Sequence, residues 1–211
     1  MPFMTSWCHG QQKFEGSDLM INRLGYTGED GFEVSVPAHV ATEFTQRLIS
    51  MEDQDGLPNK MIGLGARDSL RLEAGLCLYG NDISEDVTPI EAMLAWTISK
   101  RRKEKGGFLG ADTVQKQIAE GVTKKRCGFV VTEGRLPVRE GAKLFTEADE
   151  QVGVVCSGIP APSLENKGIG MAYVDVPHQK FKTQLFADQN GKIIPVKVVK
   201  MPFVPQKYYK P

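Results

Sequence analysis

Between Ile21 and Val36 the chain reads Ile-Asn-Arg-Leu-Gly-Tyr-Thr-Gly-Glu-Asp-Gly-Phe-Glu-Val-Ser-Val, and this run holds the residues best suited to chemistry. Gly25, Gly28 and Gly31 separate two apolar stretches, and glycine accepts positive φ and close approach to the backbone. The pattern predicts strand, tight turn, strand, with Tyr26 inside the turn and Glu33 opening the second strand. A carboxylate fixed on a strand is a good acceptor for a flat heterocycle that presents two adjacent N–H donors. A second run, Gly63 to Gly75, carries Arg67 and Arg71 four positions apart, which places both on one helix face. Two guanidinium groups there could bind carboxylates or stack on a flat ring; equally, they could pair internally with Asp68, Glu73 or Glu33. Trp96 sits in an apolar run, where a core role is the default reading and an aromatic face for a ligand the other.

Several other chemistries lack their residues. Gly25 to Gly31 does not follow G-x-G-x-x-G and no Walker lysine comes after it. No Gly-x-Ser-x-Gly elbow exists. Cys8, Cys77, Cys127 and Cys156 are far apart with no C-x-x-C pair, which predicts buried, reduced thiols rather than a zinc site or a disulfide framework. His9, His39 and His178 are scattered, so no metal is expected. The formal net charge of the 211 residues is zero, which argues against a nucleic-acid partner, since such binding needs a basic face. The charge is unevenly spread: residues 1–99 hold 6 Lys+Arg against 15 Asp+Glu, and residues 100–211 hold 20 against 11. That asymmetry suggests two units meeting near residue 100. No apolar run approaches the roughly 20 residues of a membrane span, so no membrane partner is expected, and the N-terminus carries no targeting segment.

The elements that must position these side chains can be drawn from pattern. Strands are expected over 18–24 and 32–36, with Pro37 leading into a helix over 38–50. An amphipathic helix is expected from Met61 to Leu76. Thr88-Pro89 with Glu91 has the form of an N-cap, a first-turn proline and an early acid. Leu94–Ser99 reads as a strand and Lys100–Gly107 as a basic hairpin or loop. A helix over 111–120 closes at Gly121. Beyond it, short β-rich runs at 126–132, 142–147, 151–156, 168–174, 182–187 and 193–200 are separated by turn residues, which implies a small barrel or sandwich. The domains expected are therefore 1–121 and 122–211, at an apolar content of 41% that supports a sizeable core.

With these runs in order, the chain resembles the aminomethyltransferase of the glycine cleavage system, the T-protein family. The resemblance rests on Gly25-Tyr26-Thr27-Gly28-Glu29-Asp30-Gly31-Phe32-Glu33, Gly65 to Gly75, Leu78-Tyr79-Gly80-Asn81-Asp82-Ile83 and Thr88-Pro89-Ile90-Glu91. Ser157-Gly158, Pro162-Ser163-Leu164 and Gly168 to Val174 resemble the family's C-terminal domain, and Pro202 to Tyr209 its mitochondrial, eukaryotic branch. The resemblance implies an α+β chain: a partial, ferredoxin-like folate-binding α/β region followed by a small antiparallel β-barrel. It implies tetrahydrofolate as substrate, lipoylated H-protein as partner, a mitochondrial location, and release of ammonia as an aminomethyl carbon passes to folate. By similarity Glu33 and Arg67 are folate-binding, Tyr26 and Trp96 line the pocket, and Tyr208 and Arg126 are substrate contacts. Members of the family are much longer, and their catalytic aspartate lies in an N-terminal half ahead of the motifs found here. The expectation is thus a fragment with no catalytic residue of its own. Two alternatives stay open: the folate-binding tail of a sarcosine or dimethylglycine dehydrogenase, and a non-catalytic module that binds folate or a partner through Lys100–Lys105.

Overall fold

A computed structural model describes residues 1–8, 10–53 and 55–210; His9 lies outside the described residues. Two compact units are distinguished, one made of residues 1–71 with 205–211 and the other of residues 72–204.

The first unit is built on a three-stranded antiparallel sheet of β1 (Thr5–Trp7), β4 (Met20–Arg23) and β5 (Glu33–Ser35), in the order β1-β4-β5. A small hairpin of β2 (Lys13–Phe14) and β3 (Ser17–Asp18) precedes β4. Asn22 pairs with Glu33 in the β4–β5 ladder, so the Gly25–Gly31 loop is the connection between two hydrogen-bonded strands, as its composition predicts. Pro37 occupies the N-cap position of α1 (Ala38–Ser50); its fixed φ suits a helix start and it has no N–H to leave unpaired. The next helix, α2 (Leu64–Glu73), is shorter than the amphipathic run suggests, and Gly75 N–H turns back to the Leu72 carbonyl at 2.9 Å to end it.

The second unit is dominated by a closed antiparallel barrel in the order β10-β11-β6-β9-β8-β7. Its strands are β6 (Lys124–Val131), β7 (Lys143–Phe145), β8 (Gln151–Ala161), β9 (Lys167–Asp175), β10 (Gln184–Gln189) and β11 (Lys192–Val199). Both the α+β class and the small antiparallel barrel hold. Period-2 alternation explains the packing. Cys127, Phe129 and Val131 of β6 enter the main core with Leu144, Val155, Val174, Leu185 and Val196. Burying each such aliphatic or aromatic side chain contributes about 2 kcal/mol. A second cluster gathers Leu72, Cys156, Ile159, Ile169 and Met171, with Met201 and Phe203 packed against it. Where β8 passes Val138, a Cβ on Gly158 would stand 1.7 Å from the Val138 carbonyl oxygen, so that crossing is open to glycine alone.

Two local expectations are corrected here. Leu94–Ser99 is not a strand but a single 3-10 turn, Ala95–Thr97. The basic run is not a hairpin but a helix, α3 (Lys100–Lys105), because Ser99 Oγ accepts from Arg102 N at 3.4 Å and Gly106, at φ +67°, terminates it. The Thr88 signal is realised as a capping box, with Thr88 N–H donating to Glu91 Oε2 at 3.0 Å and Glu91 N–H to Thr88 Oγ1 at 3.2 Å. It supports one turn, closed by Ala92 N–H on the Thr88 carbonyl. After it comes α4 (Ala111–Glu120), ended at Gly121.

One buried contact ties three distant segments of the second unit. Glu73, 3% exposed, accepts from Ser163 N at 2.9 Å and Ser163 Oγ at 2.6 Å, while its backbone carbonyl accepts from Phe203 N and Val204 N. The segment that follows β11 is thereby fixed to the start of the unit.

Candidate functional site

In the first unit the glycine turn is shaped by its own residues and then clamped by the end of the chain. Of its three glycines only Gly28 has a positive φ, +78°, the position where a side chain would be strained. Thr27 Oγ1 accepts from Glu29 N at 3.3 Å. Across the turn Arg23 Nε donates to Asp30 Oδ1 at 3.0 Å and Nη2 to Oδ2, a two-pronged pair that favours both charged forms. That hydrogen bond from Arg23 holds the Asp30 carboxyl below its usual 3.8.

Residues 206–210 run alongside. Lys207 N–H donates to the Gly28 carbonyl at 2.9 Å, and its Nζ lies 3.3 Å from Glu29 Oε1. Arg23 places its guanidinium 4.2 Å from the Tyr209 ring centroid and 5.3 Å from that of Phe32. Tyr208 stacks on Phe3 with centroids 4.2 Å apart, and burial raises its hydroxyl pKa. Sequence reasoning found Tyr208 only by resemblance and missed the roles of Arg23, Asp30 and Lys207. The signal was present as two acids, Glu29 and Asp30, inside a turn facing a tail with basic and aromatic residues.

The expected site residues of this unit occupy distinct roles. Glu33 opens β5 and is exposed, and among the described residues its carboxylate has no hydrogen-bond or ion-pair partner. Its backbone carbonyl accepts from Asn22 Nδ2 at 3.5 Å. Arg67 is exposed and stands 4.9 Å over the Tyr26 ring, a cation–π contact that fixes both groups. Arg71 does not join it. It is 2% exposed and donates through Nε to Asp68 Oδ1 at 2.7 Å, so the internal pairing allowed by the spacing applies to Arg71. The unit therefore offers an uncommitted carboxylate, an accessible guanidinium over a tyrosine, and a second tyrosine held by the tail. That set can accept paired N–H donors, balance a carboxylate and flank an aromatic ring.

Trp96 and Arg126 belong to the second unit. Trp96 is 77% exposed, not a core residue, because the 3-10 turn carries it outward. Arg126 is 5% exposed, on the face of β6 opposite Cys127 and Phe129. Its Nε donates to the Ala92 carbonyl at 3.0 Å and its Nη1 meets Met171 Sδ at 3.0 Å and Met201 Sδ at 3.7 Å. Its own N–H donates to the Glu91 carbonyl, so the capped turn at Thr88 is anchored to the barrel through this residue. No disulfide joins the four cysteines: Cys127 and Cys156 are buried as expected, Cys77 is half-buried, and Cys8 is exposed. Among the described residues no group of three or more His, Cys, Asp or Glu could hold a metal ion, and no helix is long and apolar enough to cross a membrane.

A strand–turn–strand site on a small α/β unit, with a six-stranded barrel further along the chain, defines a class, and comparison with known proteins specifies it. Residues 1–102 match the family model described as the GCVT N-terminal domain. Residues 124–205 match the glycine cleavage T-protein C-terminal barrel domain. The chain belongs to the glycine cleavage T-protein family of aminomethyltransferases. It is 49% identical over 196 residues to the mitochondrial aminomethyltransferase of Flaveria anomala, covering 93% of this chain and 47% of that protein. It is 45% identical over 215 residues to that of Dictyostelium discoideum, covering 100% and 51%. The crystal structure of the glycine cleavage system aminomethyltransferase T from Bartonella henselae matches with a TM-score of 0.88 at 40% identity, over 100% of this chain and 55% of that one. The chain spans about half the length of the curated relatives it matches.

Proposed function

We propose that these residues form the folate-facing part of a glycine-cleavage aminomethyltransferase. The reaction proposed moves an aminomethyl carbon from the lipoyl sulfur of H-protein to tetrahydrofolate. The carbon–sulfur and carbon–ammonia bonds break, folate nitrogens take the carbon as a methylene bridge, ammonia leaves, and the lipoyl arm is left as a dithiol.

The observation that carries this reading is the uncommitted Glu33 carboxylate at the start of β5. A pterin offers N3–H and a 2-amino group side by side, which one carboxylate accepts through both oxygens. Arg67 over Tyr26 supplies a cation for the glutamyl end of folate or a face for its rings. Tyr208 supplies further aromatic surface in the same unit. For the other unit, the resemblance gives Trp96 the role of an exposed aromatic face, and Arg126 acts as a positioning residue through the Ala92 carbonyl. The exposed Lys100 and Arg101 of α3 suit an acidic face of H-protein or a polyglutamate tail. The same proposal assigns folate chemistry to residues 1–121 and a supporting barrel to 122–211. A mitochondrial location is part of it, on the names of the Flaveria and Dictyostelium relatives. Because those relatives are about twice as long, the reading also holds that the 211 residues alone do not complete the site.

The test is transfer from aminomethyl-lipoyl H-protein to tetrahydrofolate, followed by release of ammonia. The gene's full-length product should turn over and the 211-residue chain should not. Turnover by neither, with folate bound by neither, would overturn the reading.

A further inference from the structure

The hairpin between β10 and β11 closes its ladder at Gln189 and Lys192, leaving Asn190 and Gly191 as a two-residue loop. Both are exposed, and both have left-handed backbone, with φ +56° at Asn190 and +81° at Gly191. Asn-Gly is the preferred filling of such a turn. It is also the sole Asn-Gly pair in the chain, and an asparagine followed by glycine is the least hindered setting for attack by a backbone nitrogen on the side-chain amide, since no Cβ shields that nitrogen.

In this loop the attacking atom is already engaged. Gly191 N–H donates to Asp188 Oδ1 at 2.6 Å. We propose that Asn190 is a deamidation site whose reaction Asp188 restrains. In the reaction a solvent base removes the Gly191 N–H proton and the nitrogen bonds to Asn190 Cγ. The side-chain nitrogen takes up a proton and leaves as ammonia, giving a five-membered succinimide. Water then adds to one of its two carbonyls, yielding aspartate or isoaspartate. A carboxylate accepting the N–H keeps the proton on nitrogen and opposes build-up of negative charge there. A charge-assisted hydrogen bond that must break before attack slows the step by about tenfold or more.

The product matters because this loop lies in the barrel wall. β10 pairs with β7 and with β11, and Gln189 Oε1 accepts from Arg139 N at 2.5 Å. Isoaspartate adds one carbon to the main chain and a negative charge beside Asp188, which a two-residue turn in fixed register has no room to absorb. The barrel would age from this corner.

The experiment follows the one-mass-unit gain of the peptide containing residue 190 by mass spectrometry, with isoaspartate assigned by fragmentation. Wild type, Asp188→Ala and Asp188→Asn are incubated at neutral pH, folded and in urea. Folded Asp188→Ala should deamidate about tenfold faster than folded wild type or more, with Asp188→Asn between them, because an amide oxygen still accepts the N–H. Wild type in urea should react faster than folded wild type by a similar factor, a comparison that stands even if a variant does not fold. Equal rates for folded and unfolded wild type, or for folded wild type and both variants, would overturn the assignment.

Discussion

Tyr209 donates its backbone N–H to Asp30 Oδ1 at 3.3 Å across 179 positions of sequence. The same carboxylate holds Arg23, whose guanidinium lies over the Tyr209 ring. The end of the chain is therefore one wall of the glycine turn, and the position of Tyr208 depends on that clasp.

The clasp should open in acid. Asp30 has its pKa lowered in the fold, chiefly by the hydrogen bond from Arg23. A carboxyl with a depressed folded value adds stability above its ordinary value of 3.8, and that stability is lost as pH falls through the lower folded value. The Tyr209 amide should keep slow hydrogen exchange down to the ordinary carboxylate range and lose it below. In Asp30→Ala, which leaves the Tyr209 N–H without its acceptor, the amide should lose protection at every pH, and an unchanged profile in that variant would remove Asp30 from the clasp.

Gly158→Ala should destabilise the barrel. The added Cβ would sit 1.7 Å from the Val138 oxygen, so β8 must move away from its neighbour. Overpacking of this kind costs about 3 kcal/mol. Urea unfolding should show the loss directly, and a midpoint like that of wild type would mean that the crossing is wider than described.

How much of this was legible beforehand differs between the units. The barrel strands alternate and are punctuated by turns such as Asp188 to Gly191, so their number and order of appearance could be read from local pattern. Arg67 and Arg71 looked equivalent because spacing defines a helix face but not which residue a neighbouring carboxylate claims; Asp68 takes Arg71. Trp96 looked like a core residue because hydropathy averages over the run, whereas a single 3-10 turn decides where one side chain points. Lys100–Lys105 looked like a loop because its like charges disfavour a helix, and the outcome turned on one capping serine. The return of the tail to the turn is a non-local contact, and no periodicity within either segment encodes it.

The thiols should divide by position. Burial pushes Cys127 up to about 12 and raises Cys156 further, while Cys8 is exposed. At neutral pH an alkylating reagent should label Cys8 quickly and leave Cys127 and Cys156 untouched until urea is added. Because the raised folded values favour the neutral thiol, their contribution to stability is complete below the ordinary value of 9.0 and falls as pH rises toward about 12. Cys127→Ala should flatten that alkaline decline, and labelling of all four thiols in the folded protein would contradict their burial.

The central claim is that Glu33 receives the pterin, and calorimetric titration of tetrahydrofolate into the gene's full-length product, wild type and Glu33→Ala, tests it most directly. Losing charge-assisted hydrogen bonds of about 1.5–3 kcal/mol each should weaken binding roughly tenfold or more. The variant's unfolding midpoint should stay close to that of wild type, since the side chain is exposed and its carboxylate has no hydrogen bond or ion pair among the described residues. Equal affinity in the two proteins would contradict the account.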